Sequence, residues 1–142
     1  MKYLIIGVIC GFVIAEEVFN MGNYLGLVDE NMMEILNEPF NKTRGRDLQF
    51  YMEDYYHTIK DLRKQMKKNV VGIDKSVDAY MAHNGPNFVD IRIQNYQTLQ
   101  DTFKWNDNEL EEFIMLRKNI SDLWRVFKEE AVEFRKNVHR NP

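Results

Sequence analysis

The chain has a single cysteine, Cys10, set in an apolar stretch at its beginning. An internal disulfide has no second partner, and zinc sites built from several cysteines and CxxC redox pairs are excluded. HExxH, a nucleophile elbow, a phosphate-binding glycine loop and an EF-hand loop are missing as well, so the familiar catalytic motifs supply no enzyme class. The acidic stretch from Asp101 to Glu112 lacks the ligand spacing and the central glycine of a calcium loop. Lys and Arg are absent from Glu16 to Glu38, where every charge is negative. There is no internal repeat and no low-complexity segment. The one alternating run, Phe88 to Ile93, has no partner strand elsewhere and could not satisfy its backbone as a lone strand.

Long apolar runs are also scarce. Leu4 to Ala15 is the exception, and as a helix it rises only ~20 Å against a hydrocarbon core of ~30 Å. Lys2 ahead of it, and Val13 and Ala15 before Glu16, fit a secretory leader with its cleavage site. Residues 1–15 are therefore expected to be a signal peptide and residues 16–142 a single all-helical domain, secreted and extracellular, with no stable membrane span and no cysteine once the leader is gone. The formal net charge is −3, and loss of Lys2 makes it one unit more negative. That balance argues against a general polyanion binder, so no nucleic-acid partner is expected.

What is present in abundance is helical spacing. Leu48, Met52, Tyr55, Ile59, Leu62, Met66, Val70, Ile73, Val77 and Tyr80 follow one another by steps of three and four, the spacing of one helix face. Both heptad seam positions stay apolar only as far as Leu62 and Met66. Beyond that, Asn69 and Ser76 occupy one seam and the stripe drifts to Val70 and Val77. Drift of this kind suits a straight core helix better than a coiled-coil strand. Asn69-Val70-Val71-Gly72 admits an interruption, with Asp74 as cap of a new start. Unbroken, residues 46–83 would reach ~57 Å, against a diameter of roughly 36 Å for a compact domain of this length. Both cases stand at this level. A straight helix leaves the face around Leu48 to Ile59 uncovered and calls for a dimer or a partner helix, whereas a break lets the chain close on one core.

The flanking segments read as follows. Val18 to Leu27, with Gly22 and Gly26, has no steady period and is expected to be irregular or weakly helical. Asp29 is expected to cap a short helix carrying Met32, Met33, Ile35 and Leu36 that stops before Pro39. Asn84-Gly85-Pro86 ends the long segment, and a helix is expected from Asn87 to Phe103. Asn106 and Glu109 have capping-box spacing before a last helix that ends near Asn137, its apolar face interrupted by Arg117. The fold class is all-α: a bundle of about four helices with short antiparallel connections, compact or elongated.

Candidate sites follow from the same faces. Leu48, Met52, Tyr55, Tyr56, Ile59, Leu62 and Met66 are the candidates for a partner or ligand face. Lys60, Arg63, Lys64, Lys67 and Lys68 form a basic stripe, ordinary for a solvated helix. Glu53, Asp54, His57 and Asp61 have metal-ligand spacing, but no second acidic-x-x-His motif faces them, so neither metal nor cofactor is expected. Asn41 and Asn119 lie in glycosylation sequons, Asn41 in an expected loop. The function expected is a secreted, non-enzymatic interaction protein (a glycoprotein) that binds a protein partner or itself, as a homo-oligomer, through an apolar helical face. The alternative is an extracellular carrier of a lipid or other apolar ligand in the bundle core.

Overall fold

A computed structural model describes residues 19–38 and 44–140, with side chains described as far as Val138. The expected leader, residues 1–15, and Asn41 lie outside the described residues. Five α-helices are packed together among them: α1 (Met21–Asn37), α2 (Gly45–Lys67), α3 (Ile73–His83), α4 (Tyr96–Phe103) and α5 (Asp107–Arg140). A 3-10 turn covers Asn87–Asp90, and no strand occurs among the described residues. The all-α class expected from the spacing is the one observed.

The long segment breaks. α2 stops at Lys67 because Asn69 adopts a left-handed conformation at φ 49°, one that a short polar side chain tolerates. The Val70 amide then donates to the Gln65 carbonyl at 3.2 Å and the Asn69 amide to the Met66 carbonyl at 3.1 Å. This pair of bonds is a Schellman ending, which caps carbonyls that the helix leaves free. Gly72, at φ 84°, is the N-cap of α3, and Asp74 stands in the first turn without capping it. The elbow at 68–72 lets α3 fold back on α2, so the stripe meets its own chain. Leu48, Met52, Tyr55, Ile59 and Leu62 are fully buried and Met66 nearly so. Burial of each such side chain stabilises by ~1.5–3 kcal/mol, more than the local cost of bending at a glycine and an asparagine.

α1 begins well before Asp29, contrary to the short helix expected there. Asn20 caps it, its side chain accepting from the Asn23 amide at 2.9 Å. Gly22 is what allows α1 to lie against α3, since a methyl group at that position would overlap the Ser76 carbonyl and the Tyr80 amide. Tyr24 meets Asp54 and Glu34 meets Arg44, so α1 and α2 run antiparallel. Met21 bonds Ser76 and Asp29 bonds His83, so α1 and α3 run the same way. α2 and α5 are also parallel, linked by Gln49 to the Glu109 carbonyl and by Arg63 to Glu130.

The helix expected over 87–103 is only partly formed. It divides into the 3-10 turn, an irregular stretch at 91–95, and α4, which Asn95 caps. Arg117, an interruption in the apolar face of α5, explains how that stretch is held. Its guanidinium donates to the Val89 carbonyl at 2.7 Å, to the Ile91 carbonyl, and to the Tyr96 hydroxyl at 3.3 Å. The Asn106–Glu109 capping box forms in both directions, at 3.0 and 2.8 Å.

The centre of the core is aromatic: Tyr55, Tyr80, Phe88 and Phe127 are fully buried and meet edge to face. One hydrogen bond of 2.5 Å joins the Tyr55 and Tyr80 hydroxyls, one donating and the other accepting. Burial pushes both phenols far up, so both remain protonated at physiological pH.

Candidate functional site

The elbow does more than reverse the chain. Val70 and Val71 stand in the turn, where neither neighbouring helix covers them, and Val71 is 90% exposed. Opposite, the last turns of α5 pass the elbow without closing on it. Between the two lies a groove of about 910 Å³. Its apolar side is Met66, Val70, Val71, Phe134 and Val138, and its rim carries Asp74, Glu129, Glu130 and Glu133. Among the described residues, Lys67 is the one basic side chain in the lining.

Charge on this rim is unevenly used. Glu130 accepts from Arg63 Nε at 2.7 Å and Nη2 at 3.1 Å, and Lys67 lies 3.3 Å away. The Arg63 bond holds the Glu130 carboxyl below its ordinary range, and the same bond pushes the guanidinium up. This pairing fastens α2 to α5 beside the groove. Among the described residues Glu133 pairs with Lys136 of its own helix, at 3.4 Å, both exposed. Asp74 and Glu129 are exposed and have no ion pair among the described residues.

The residues singled out from sequence are placed differently. The face of Leu48, Met52, Tyr55, Ile59, Leu62 and Met66 is internal, taken by the chain's own helices, and of these only Met66 reaches the elbow groove. Tyr56 is half-buried and carries the Lys60 ammonium 4.9 Å above its ring. The basic stripe is not a uniform patch. Arg63 and Lys67 are engaged by Glu130, while Lys60, Lys64 and Lys68 are exposed and have no ion pair among the described residues. Asn119 is half-buried inside α5 beside the buried Ile120, not in the loop that a sequon favours.

Glu53, Asp54, His57 and Asp61 do not converge. Asp54 accepts from Tyr24, and the neighbouring Glu53 carboxyl pushes the Glu112 carboxyl up. Glu53 and His57 border a second open groove between α2 and the start of α5, with Glu111, Glu112 and Met115 opposite. Among the described residues no group of three or more His, Cys, Asp or Glu side chains is placed to hold a metal ion.

One buried polar cluster was missed entirely. Asp29 is fully buried, and its carboxylate accepts from His83 Nε2 at 2.8 Å, from the Asn87 amide at 3.0 Å and side chain at 3.1 Å, and from the Phe88 amide at 2.8 Å. Pro86 precedes the 3-10 turn and has no side chain able to cap it, so Asp29 caps the turn from another helix. The other ring nitrogen of His83 faces Gly26 across the α1–α3 contact. No nucleophile bonds this histidine, and the arrangement is a fastening between α1, α3 and the turn. The partners lie 54 to 59 residues from Asp29, so no local pattern signals them.

Compared with known proteins, the chain matches no family model, no curated protein and no solved structure. No helix among the described residues is long and apolar enough to cross a membrane.

Proposed function

We propose that this chain is an exported, non-enzymatic helical interaction protein, and that its docking surface is the elbow groove. In this reading α1, α2, α3 and α5 form a four-helix-like scaffold, α4 fills its open corner, and the elbow presents the contact surface. The observation that carries the reading is Val71, with its neighbour Val70. Two adjacent β-branched apolar residues stand in water at the mouth of a groove whose floor is also apolar. Leu27, Phe50, Ile114, Met115 and Val132 are exposed as well, but Val71 is the most exposed of these large apolar side chains, and an apolar patch beside a polar rim is characteristic of a binding site. A carrier function draws less support, because the side chains proposed to line a core pocket are packed against one another.

Photo-crosslinking tests this. A photo-reactive phenylalanine is placed at position 71 or, as control, at Phe50, which is 63% exposed and does not line the groove. Produced in the native host, the position-71 protein should yield one defined adduct and the position-50 protein none. Equal adducts at both positions would refute the docking surface. Sequencing the exported protein checks the leader, for which the expected first residue is Glu16 and an intact Met1 is the refuting result.

A further inference from the structure

The rim of the elbow groove specifies more than apolarity. Of its charged side chains, Glu130 and Lys67 are spent on each other and on Arg63. Among the described residues those left over are acidic: Asp74 on α3 and Glu129 on α5 have no ion pair, and Glu133 on α5 has only its exposed contact with Lys136. They stand on both sides of the apolar floor, so a segment lying on Val70, Val71 and Phe134 would have carboxylates along both of its edges. Desolvating those edges goes uncompensated against an anionic or neutral occupant and is offset by the charges of a cationic one. The exposed lysines Lys60, Lys64 and Lys68 do not line the groove, so the excess of carboxylates among its described lining residues stands.

We infer that the elbow groove takes a cationic amphipathic helix of a partner protein, its apolar side chains on Val70, Val71 and Phe134 and its lysines or arginines against Asp74, Glu129 and Glu133. The recognition mode is a helix laid in a groove, read through apolar anchors at i, i+3, i+4 and i+7 with basic residues between them. This inference rests on the docking reading above, and it adds the chemical class of the occupant. An anionic lipid surface is disfavoured by the same carboxylates.

Three labelled synthetic peptides of about 21 residues, above the length at which isolated helices are marginal, provide the probe. Each has leucine at i, i+3, i+4 and i+7, and the remaining positions are lysine, glutamine or glutamate. Fluorescence anisotropy with the purified protein should show the lysine helix binding at least about tenfold tighter than the glutamate helix at low salt, a gap that narrows as salt screens the rim. The double variant Asp74→Lys/Glu129→Lys should reverse the order. Val71→Asp, at a position too exposed to disturb the core, should abolish binding of the lysine helix while the far-ultraviolet circular dichroism stays unchanged. Tighter binding of the glutamine or glutamate helix, lost in Val71→Asp, overturns the cationic class and leaves the docking surface standing. No Val71-dependent binding of any helix overturns both. Val71-dependent binding to phosphatidylserine vesicles, with none to the lysine helix, overturns the protein partner.

Discussion

Replacing Asp29 separates two accounts of the same residue. If Asp29 merely began a helix, Asn would cap as well as Asp, and Ala would cost about 1 kcal/mol. The structure assigns it four donors instead: His83 Nε2, the Asn87 amide and side chain on Oδ2, and the Phe88 amide on Oδ1. In Asp29→Asn, the new NH2 cannot stand at the Oδ2 position, where it would face three donors. It must turn towards Phe88, whose amide is then buried without an acceptor, at about 1–3 kcal/mol. The remaining bonds lose their charge assistance, which roughly halves their strength. Asp29→Ala leaves all four donors without the carboxylate, about 3–5 kcal/mol by analogy with a broken buried pair. A domain of this size holds only about 5–15 kcal/mol in total, so the alanine variant should be close to unfolding. Urea unfolding followed by circular dichroism should therefore place both variants below the parent, with the alanine variant lowest. Hydrogen exchange should show the amides of Asn87 and Phe88 losing protection first. An asparagine variant within a few tenths of a kcal/mol of the parent, with alanine near 1, would refute the fastening.

Three further outcomes follow from the packing. Gly72→Ala places a side chain at φ 84° and should destabilise by about 1–2 kcal/mol, with sedimentation still showing the same mass as the parent. A dimer would mean that α2 and α3 had straightened into one helix. Arg117→Met keeps the apolar stem but removes the donors to Val89, Ile91 and Tyr96. It should cost about 2–3 kcal/mol and raise hydrogen exchange across 91–96 before α2, whereas uniform loss of protection would argue against a local clamp. Glu130 should make the fold acid-sensitive. Its folded carboxyl titrates below its unfolded range, so its contribution is fully present above about pH 4.5 and is lost as the pH falls through the folded value. Glu130→Gln should then be less stable than the parent at neutral pH, with the two converging in acid; parallel curves would remove Glu130 from that dependence.

The spacing of the chain settled its class, and local signals settled several of its joints. Steps of three and four from Leu48 to Tyr80 can be read as nothing but helix, and the buried side chains of α2 are the ones that spacing names. The Asn106–Glu109 capping box is equally local, because cap and helix lie within one turn. Other decisions were close locally and were made by contacts far along the chain. Whether residues 68–72 bend was balanced between the cost of Gly72 and the burial of a whole face, and burial weighs more once α1 and α5 supply the opposing surfaces. The first turns of α1 looked irregular because Gly22 and Gly26 weaken helix propensity, yet the same small residues admit α3. Met21, Leu25, Val28 and Met32 are buried along one face of α1, and the surfaces that bury them lie on other helices. Asp29 and Arg117 read as a cap and a gap, and each proved to hold backbone groups that no local partner could satisfy. The elbow groove belongs with these. Val70 and Val71 are apolar in any conformation, and only the fold-back, with α5 passing without closing over it, leaves them facing water beside unpaired carboxylates.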